Sequence, residues 1–260
     1  MISHLAAQLD ALPLTAIGLL LAGSFLLASE LGFWAHHRLA RGGDGDQDEG
    51  QVLSTALLLL ALLLGFTFSM ALGRFDERRA LVVQESNDIG TAWLRAGLVE
   101  TPAGAALQDR LAAYARTRVG SPSPDQAERL RAGARLRGEI WQMAAAATAP
   151  DRSTAQATAL IASVNAVLDT ATTREKAVAA RVPGEVLVLL VLYSQVASFL
   201  LGYVFEASGQ RHRLASGVLF ALLAMTIVLI LDLDRPQGGS IRIDQRAMTD
   251  LVASLAPQVE

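Results

Sequence analysis

The sequence predicts an all-α, polytopic membrane protein with four transmembrane helices and a helical extramembrane domain. Four long apolar segments lie at residues 11–35, 52–72, 186–205 and 214–231. Each is long enough to cross a bilayer, since a span needs roughly 20 mostly apolar residues. The chain is also 52% hydrophobic but only 5% aromatic, and its abundant Ala and Leu favour helices over strands. Because hydrocarbon offers no water to backbone amides, each segment should be helical.

Composition and missing motifs exclude several functional classes. The net charge of −3 at pH 7 offers no basic field for nucleic acid. The absence of Cys excludes disulfides, thiolate metal sites and Cys nucleophiles. The sequence has no HExxH, GxSxG, P-loop or dinucleotide-binding motif, and the acidic residues 44–48 lack the Gly and Glu of a calcium loop. We therefore expect neither an enzyme nor a bound metal or other cofactor.

The first two spans form a hairpin whose second helix is unusually long. Residues 1–10 carry no Lys or Arg, and the apolar segment after them exceeds a signal-peptide core, so the first span should be an uncleaved helix. Residues 41–50 are dense in Gly and Asp and predict a flexible acidic loop. No Pro occurs between Gln51 and Glu100, which predicts a helix that continues out of the membrane to Val99 and stops at Thr101 and Pro102.

The long loop between spans two and three predicts two or three further helices. They should break at residues 120–124 and 150–151, where a Ser or Asp stands ready to cap the next helix, and the last should cover residues 153–181. A tight turn at residues 209–213 joins spans three and four. The predicted parts are residues 1–73 with helices 1 and 2, residues 74–183 as the extramembrane domain, residues 184–235 with helices 3 and 4, and residues 236–260 as the tail.

Four spans place both termini and the helical domain on one face of the membrane. Basic residues near the span ends are more numerous on that face than on the hairpin face. The positive-inside rule then favours cytoplasmic termini. Arg38 and Arg41, which follow a first span preceded by no basic residue, favour the opposite orientation. Because more basic residues lie on the face that carries the termini, we expect the termini to be cytoplasmic.

The second helix carries two heptad series just beyond the membrane. An apolar series of Phe75, Val82, Ile89 and Ala96 predicts an inward packing stripe. At the adjoining heptad position stand Arg78 and Glu85. These charges either form a salt bridge, within one chain or between chains, that fixes the helix register, or line a hydrated path that continues from the membrane.

Charged residues also cluster where spans two and four end: Arg74, Asp76, Arg78 and Arg79 after the former, and Asp232, Asp234 and Arg235 after the latter. One interpretation is simple interfacial anchoring. However, carboxylates beside lipid usually need a partner, because an unpaired charge there is costly. We therefore predict that Arg74 or Arg78 pairs with one of the two span-four aspartates.

Within span two, Leu62, Phe66 and Met70 fall at i, i+4 and i+8, on one helix face with Ser69 beside them. A bulky apolar stripe that faces a pore can gate it by dewetting. The same pattern also occurs where a helix packs against lipid or other helices. In span three, Gln195 is either an interhelical hydrogen-bonding group or a contact for a permeating species.

Three parts of the chain resemble a known family. They are residues 66–79 (FTFSMALGRFDERR) with residues 81–85 (LVVQE), Asn87 and residues 89–95 (IGTAWLR); Ser163, Asn165, Asp169 and Arg174; and residues 232–236 (DLDRP) with Gly239 and residues 241–243 (IRI). Over about residues 52–251 the chain resembles the bestrophin-like domain membrane proteins of bacteria and plants.

The resemblance implies kinship with bestrophins, which are pentameric anion channels with cytosolic termini and a pore lined by the second membrane helix. By this analogy Leu62, Phe66 and Met70 are neck residues. The hypothesis is a homo-oligomeric channel that conducts inorganic ions across a lipid bilayer, which the resemblance implies is a bacterial inner membrane. Several subunits are required, because one four-helix bundle has no room for a pore.

The sign of the permeating ion stays open at the level of residues. The resemblance favours anions, as do Arg78 and the other arginines near the mouth. The carboxylates of Asp76, Glu85, Asp232 and Asp234 favour cations. The alternative function is a non-conducting membrane scaffold or sensor that signals through its long helical domain.

Overall fold

A computed structural model describes residues 12–39, 46–119, 126–149, 154–207, 213–235 and 239–255. These residues form eight helices and no strand. The helices are α1 (Leu14–Leu39), α2 (Asp46–Gly97), α3 (Pro102–Arg118), α4 (Gln126–Ala147), α5 (Ala155–Ala179), α6 (Gly184–Ala207), α7 (Arg213–Asp234) and α8 (Arg246–Ser254).

Four helical segments are long and apolar enough to cross a membrane: Leu14–Arg38, Gly50–Gly97, Ala155–Phe205 and Arg213–Asp234. The predicted all-α class with four membrane helices is therefore confirmed. The chain separates into two compact units. The membrane unit holds the described residues of Met1–Arg74, Arg181–Arg235 and Gly239–Ile241, and the helical unit holds those of Phe75–Ala180 and Arg242–Glu260.

Small residues bring the helices of the membrane unit close together. A Cβ atom on Gly32 of α1 would overlap the carbonyl oxygen of Phe199 in α6, and one on Gly202 would overlap that of Ser29. Such glycines let two membrane helices approach until their backbones touch, which strengthens their van der Waals contact.

A polar contact joins the same two helices. The side-chain amide Nε2 of Gln195 in α6 donates a hydrogen bond to the Ser24 hydroxyl of α1 at 2.7 Å. The Ser24 hydroxyl in turn donates to the carbonyl oxygen of Leu21 at 2.7 Å. This confirms the interpretation of Gln195 as an interhelical hydrogen-bonding group.

The helical unit is built on the predicted inward stripe of α2. Val82, Ile89 and Ala96 are buried in one apolar core, whereas Phe75 at the start of the series is half-buried. The core is completed by residues of the other helices: Leu107 and Leu111 of α3, Ile140 of α4, Leu160 and Val164 of α5, and Met248 of α8.

The ends of α2 differ from the sequence prediction. The helix begins at Asp46, so the predicted acidic loop is wrong for residues 46–50, and residues 40–45 lie outside the described residues. Acidic residues are favourable in the first turn of a helix, where backbone N–H groups carry partial positive charge. The helix ends at Gly97 rather than Val99. Thr101 then caps α3, accepting a hydrogen bond from the Gly104 amide at 3.2 Å.

The long loop contains three helices, the upper end of the prediction. The helix expected over residues 153–181 is α5, and its cap is Thr154, not a preceding Ser or Asp. The Thr154 hydroxyl accepts a hydrogen bond from the Ala157 amide at 3.1 Å. The breaks predicted at residues 120–124 and 150–151 lie outside the described residues, as do residues 209–212 of the predicted turn.

Candidate functional site

One face of α2 within the apolar segment is left uncovered by the described residues of its own chain. The exposed fractions are 53% for Leu62, 65% for Phe66 and 40% for Met70, and Ser69 is also exposed. Thr67, one residue beyond Phe66, is by contrast buried. All four predicted pore residues of span two therefore lie on the uncovered side of the helix.

The uncovered face continues beyond the apolar segment. Leu62, Ser69, Asp76 and Val83 recur every seven residues and are all exposed. A step of seven residues falls only about 20° short of two full helical turns, so these four side chains lie on one line along α2. We call this line the exposed series. Asp76 is the first charged residue on it after the apolar segment.

A second line along α2 is buried instead. Ala71, Arg78, Glu85 and Ala92 also recur every seven residues, and none of them is exposed. We call this line the buried series. Its two charged members are covered almost completely, with exposed fractions of 1% for Arg78 and 0% for Glu85.

Glu85 is the centre of a charge cluster inside the helical unit. Its Oε1 atom lies 2.8 Å from Nε of Arg118, and its Oε2 atom lies 2.5 Å from Nη1 of Arg174. The Tyr114 hydroxyl donates a hydrogen bond to Oε1 at 2.8 Å. We call these four residues the Glu85 cluster. The salt-bridge interpretation is confirmed for Glu85, with both partners in the same chain.

The surroundings of the Glu85 cluster keep the Tyr114 hydroxyl protonated and connect the cluster to the C-terminal segment. Burial, and after it the charge of Glu85, raises the pKa of Tyr114, so the hydroxyl remains a neutral donor at ordinary pH. Arg174 also donates to the Gln245 side chain at 3.2 Å, and the Ser86 hydroxyl donates to the Ala247 carbonyl at 2.9 Å. Helices α2, α3 and α5 thus meet the start of α8 here.

The two span-four aspartates are buried and bind backbone amides. Asp232 accepts hydrogen bonds from the amides of Ser240 at 2.8 Å and Ile241 at 3.3 Å. Asp234 accepts one from the amide of Val182 at 2.8 Å. Hydrogen bonds from N–H groups stabilise a carboxylate charge. These amide partners were missed at the sequence level, and the pairing of Arg74 or Arg78 with either aspartate stays a prediction.

The remaining predicted charges differ in exposure. Arg78 donates from Nη2 to the Ala180 carbonyl at 3.5 Å, and Arg235 donates from Nη1 to the Leu12 carbonyl at 3.3 Å. Arg74 and Arg235 are half-buried, whereas Asp76 and Arg79 are exposed.

The sequence profile of the Bestrophin-like domain matches residues 22–248. The chain belongs to the Bestrophin-like domain family. No curated protein matches its sequence. The fold is similar to the crystal structure of a mutant bacterial Bestrophin homolog from Klebsiella pneumoniae, with a TM-score of 0.68 and 14% sequence identity over 93% of this chain and 97% of that chain. A crystal structure of a mutant membrane protein gives the same TM-score, identity and coverage.

Membership of the Bestrophin-like family and the shared fold support a channel-like role in a membrane. At 14% identity the structural likeness speaks for the fold alone.

Proposed function

We propose that the protein is a homo-oligomeric ion channel whose pore is lined by the uncovered face of α2. The observation that carries the proposal is the apolar stripe of Leu62, Phe66 and Met70, which no other part of the described chain covers. In a membrane such a stripe faces lipid, another subunit or a pore. Membership of a family with a channel fold favours the pore.

A pore requires several copies of the chain. Helices α1 and α6 approach backbone to backbone at Gly32 and Gly202, which leaves no path between these two helices. A ring of subunits, five by the family resemblance, would instead bring the α2 helices together around an axis. Bulky side chains such as Phe66 would then narrow the path and close it by expelling water.

The orientation with cytoplasmic termini in a bacterial inner membrane belongs to the same proposal. It rests on the larger number of basic residues beside the span ends on the face that carries both termini.

A non-conducting sensor or scaffold is the second candidate. The Glu85 cluster favours it, because its contacts join α2, α3 and α5 to the segment before α8. Such a cluster could hold one of two arrangements of the helical unit and release it on a signal. This function needs no ring of subunits.

Two measurements separate the candidates. Mass photometry in detergent should show oligomers, and a monomer would remove the channel. Purified protein in a planar bilayer under asymmetric salt should conduct current, and the absence of current at every voltage would favour the sensor.

The neck is tested in the same bilayer. Phe66→Ala should raise open probability, because a smaller side chain lets water remain in the narrow part of the pore. Phe68→Ala removes the same side chain from a half-buried position of α2 and serves as the matched control. An equal response of both variants would contradict a neck at Phe66.

A further inference from the structure

The charged residues near the ends of spans two and four differ in how deeply they are buried. Four of the charges that left the choice between anions and cations open are buried. They are Arg78, Glu85, Asp232 and Asp234. Glu85 is satisfied by Arg118 and Arg174, and the two aspartates accept backbone hydrogen bonds. Charges bound in this way are shielded from a water-filled path beside the exposed face of α2.

Asp76 differs from all four. It belongs to the exposed series, two turns beyond Ser69, and is itself an exposed residue. Arg74 and Arg78 stand two residues before and after it. At about 100° per residue both lie about 200° around the helix, on the opposite side. Two of the three arginines that the sequence offered on α2 as attractors of anions therefore point away from the exposed series.

The flanks of Asp76 are open on one side and basic on the other. Gly73 lies about 60° around the helix on one flank. Apart from its chain neighbours and the nearby backbone of α2, no atom of the described chain lies within 4 Å of the place where its Cβ would stand. Arg79, about 60° around on the other flank, is exposed and is the one basic residue of α2 that could compete with Asp76.

We propose that Asp76 sets the ion selectivity of the channel and that the permeating ions are inorganic cations. The inference rests on the proposed function, since only a ring of copies brings the exposed series to a common path. Each copy adds one carboxylate where the apolar segment ends. A ring of carboxylates at a narrow mouth raises the local concentration of cations and lowers that of anions.

The test measures reversal potentials of the full-length protein in planar bilayers under a potassium chloride gradient. The wild type should reverse on the side of the potassium equilibrium potential. Asp76→Asn should lower the cation-to-anion permeability ratio by about tenfold, the low end of what a focused field of one sign contributes. Asp76→Glu keeps the charge and should keep the ratio.

Glu77→Gln is the matched control. It removes the same charge from the next residue, which is also exposed but lies about 100° around the helix. Its permeability ratio should stay near that of the wild type. Equal effects of Asp76→Asn and Glu77→Gln would show a diffuse surface charge and would overturn the role of Asp76.

A chemical variant of the test avoids dependence on a single substitution. The chain contains no Cys, so Asp76→Cys provides a unique thiol. A thiol reagent that attaches a sulfonate should restore the cation preference, and one that attaches a quaternary ammonium should shift the ratio towards anions.

The outcomes distinguish the inference from the function beneath it. An anion-selective wild type, or a ratio that neither Asp76→Asn nor thiol modification changes, overturns the role of Asp76 and leaves the channel. Absence of any wild-type current overturns the channel and the inference together.

Discussion

The exposed series and the buried series of α2 contain similar types of residue but differ in burial. The exposed series runs through Leu62, Ser69, Asp76 and Val83, and the buried series through Ala71, Arg78, Glu85 and Ala92. Both pass from the apolar segment into the helical unit, and both carry charge where the apolar segment has ended.

The difference shows that the role of a carboxylate on α2 depends on its surroundings and not on its negative charge alone. Glu85 is held by two arginines and a tyrosine within the helical unit, so its carboxylate contributes to structure. Asp76 is nine residues earlier on the same helix and meets solvent. Substitutions on the buried series should therefore change stability, and those on the exposed series should change ion flow.

The largest expected effect is on the buried series. Glu85→Ala removes a fully buried carboxylate from the half-buried Arg118 and Arg174. Removal of one partner from a buried ion pair costs about 3–5 kcal/mol, and we expect a loss near the lower end of that range because the two arginines retain some contact with solvent. The measurement is the free energy of unfolding of the purified protein in detergent. Gln84→Ala, at the exposed neighbouring position, should change that free energy by less than about 0.5 kcal/mol. Similar losses in both variants would contradict the contrast.

Two adjacent arginines give a sharper but smaller comparison. Arg78 is buried and Arg79 is exposed. Arg78→Ala should destabilise the protein by about 2 kcal/mol, because the packed stem and a hydrogen bond of a charged group are both lost. Arg79→Ala should be neutral to within about 0.5 kcal/mol. Thermal unfolding of the two variants side by side checks the order, and a greater loss in Arg79→Ala would reverse the assignment of faces.

The smallest effect concerns two glycines of α2. Gly73 faces open space, so Gly73→Ala should stabilise the helix by about 0.5–1 kcal/mol through a lower backbone entropy loss. A Cβ atom on Gly90 would lie 3.3 Å from Cδ1 of Leu251 in α8. Gly90→Ala should therefore gain less than Gly73→Ala in the same unfolding assay. A larger gain at Gly90 would mean that α8 does not pack there as the structure describes.

The sequence predicted the fold well because membrane spans depend on local composition. Twenty apolar residues specify a helix whatever lies elsewhere in the chain, since backbone groups in lipid must bond within their own segment. The inward stripe of Val82, Ile89 and Ala96 was predictable for a related reason, because a heptad repeat is also a local pattern.

The site was predictable only in part. Tyr114 and Arg118 are 29 and 33 residues from Glu85 in sequence, and no periodicity links them to it. The bonds from Asp232 to the Ser240 and Ile241 amides depend on how the backbone turns after α7, and backbone amides leave no mark in a sequence. The uncovered stripe of span two had a clear local pattern, but only tertiary packing could show which side of α2 the rest of the chain covers.

The most direct test of a pore along the uncovered face is cysteine modification during current recording. Leu62 is 53% exposed and Leu60 is 4% exposed on the same helix, and the wild type offers no thiol of its own. A charged, water-soluble thiol reagent should change the current through Leu62→Cys channels and leave Leu60→Cys and wild-type channels unchanged. A steady current through Leu62→Cys channels during exposure to the reagent, or block of the Leu60→Cys variant alone, would contradict the account.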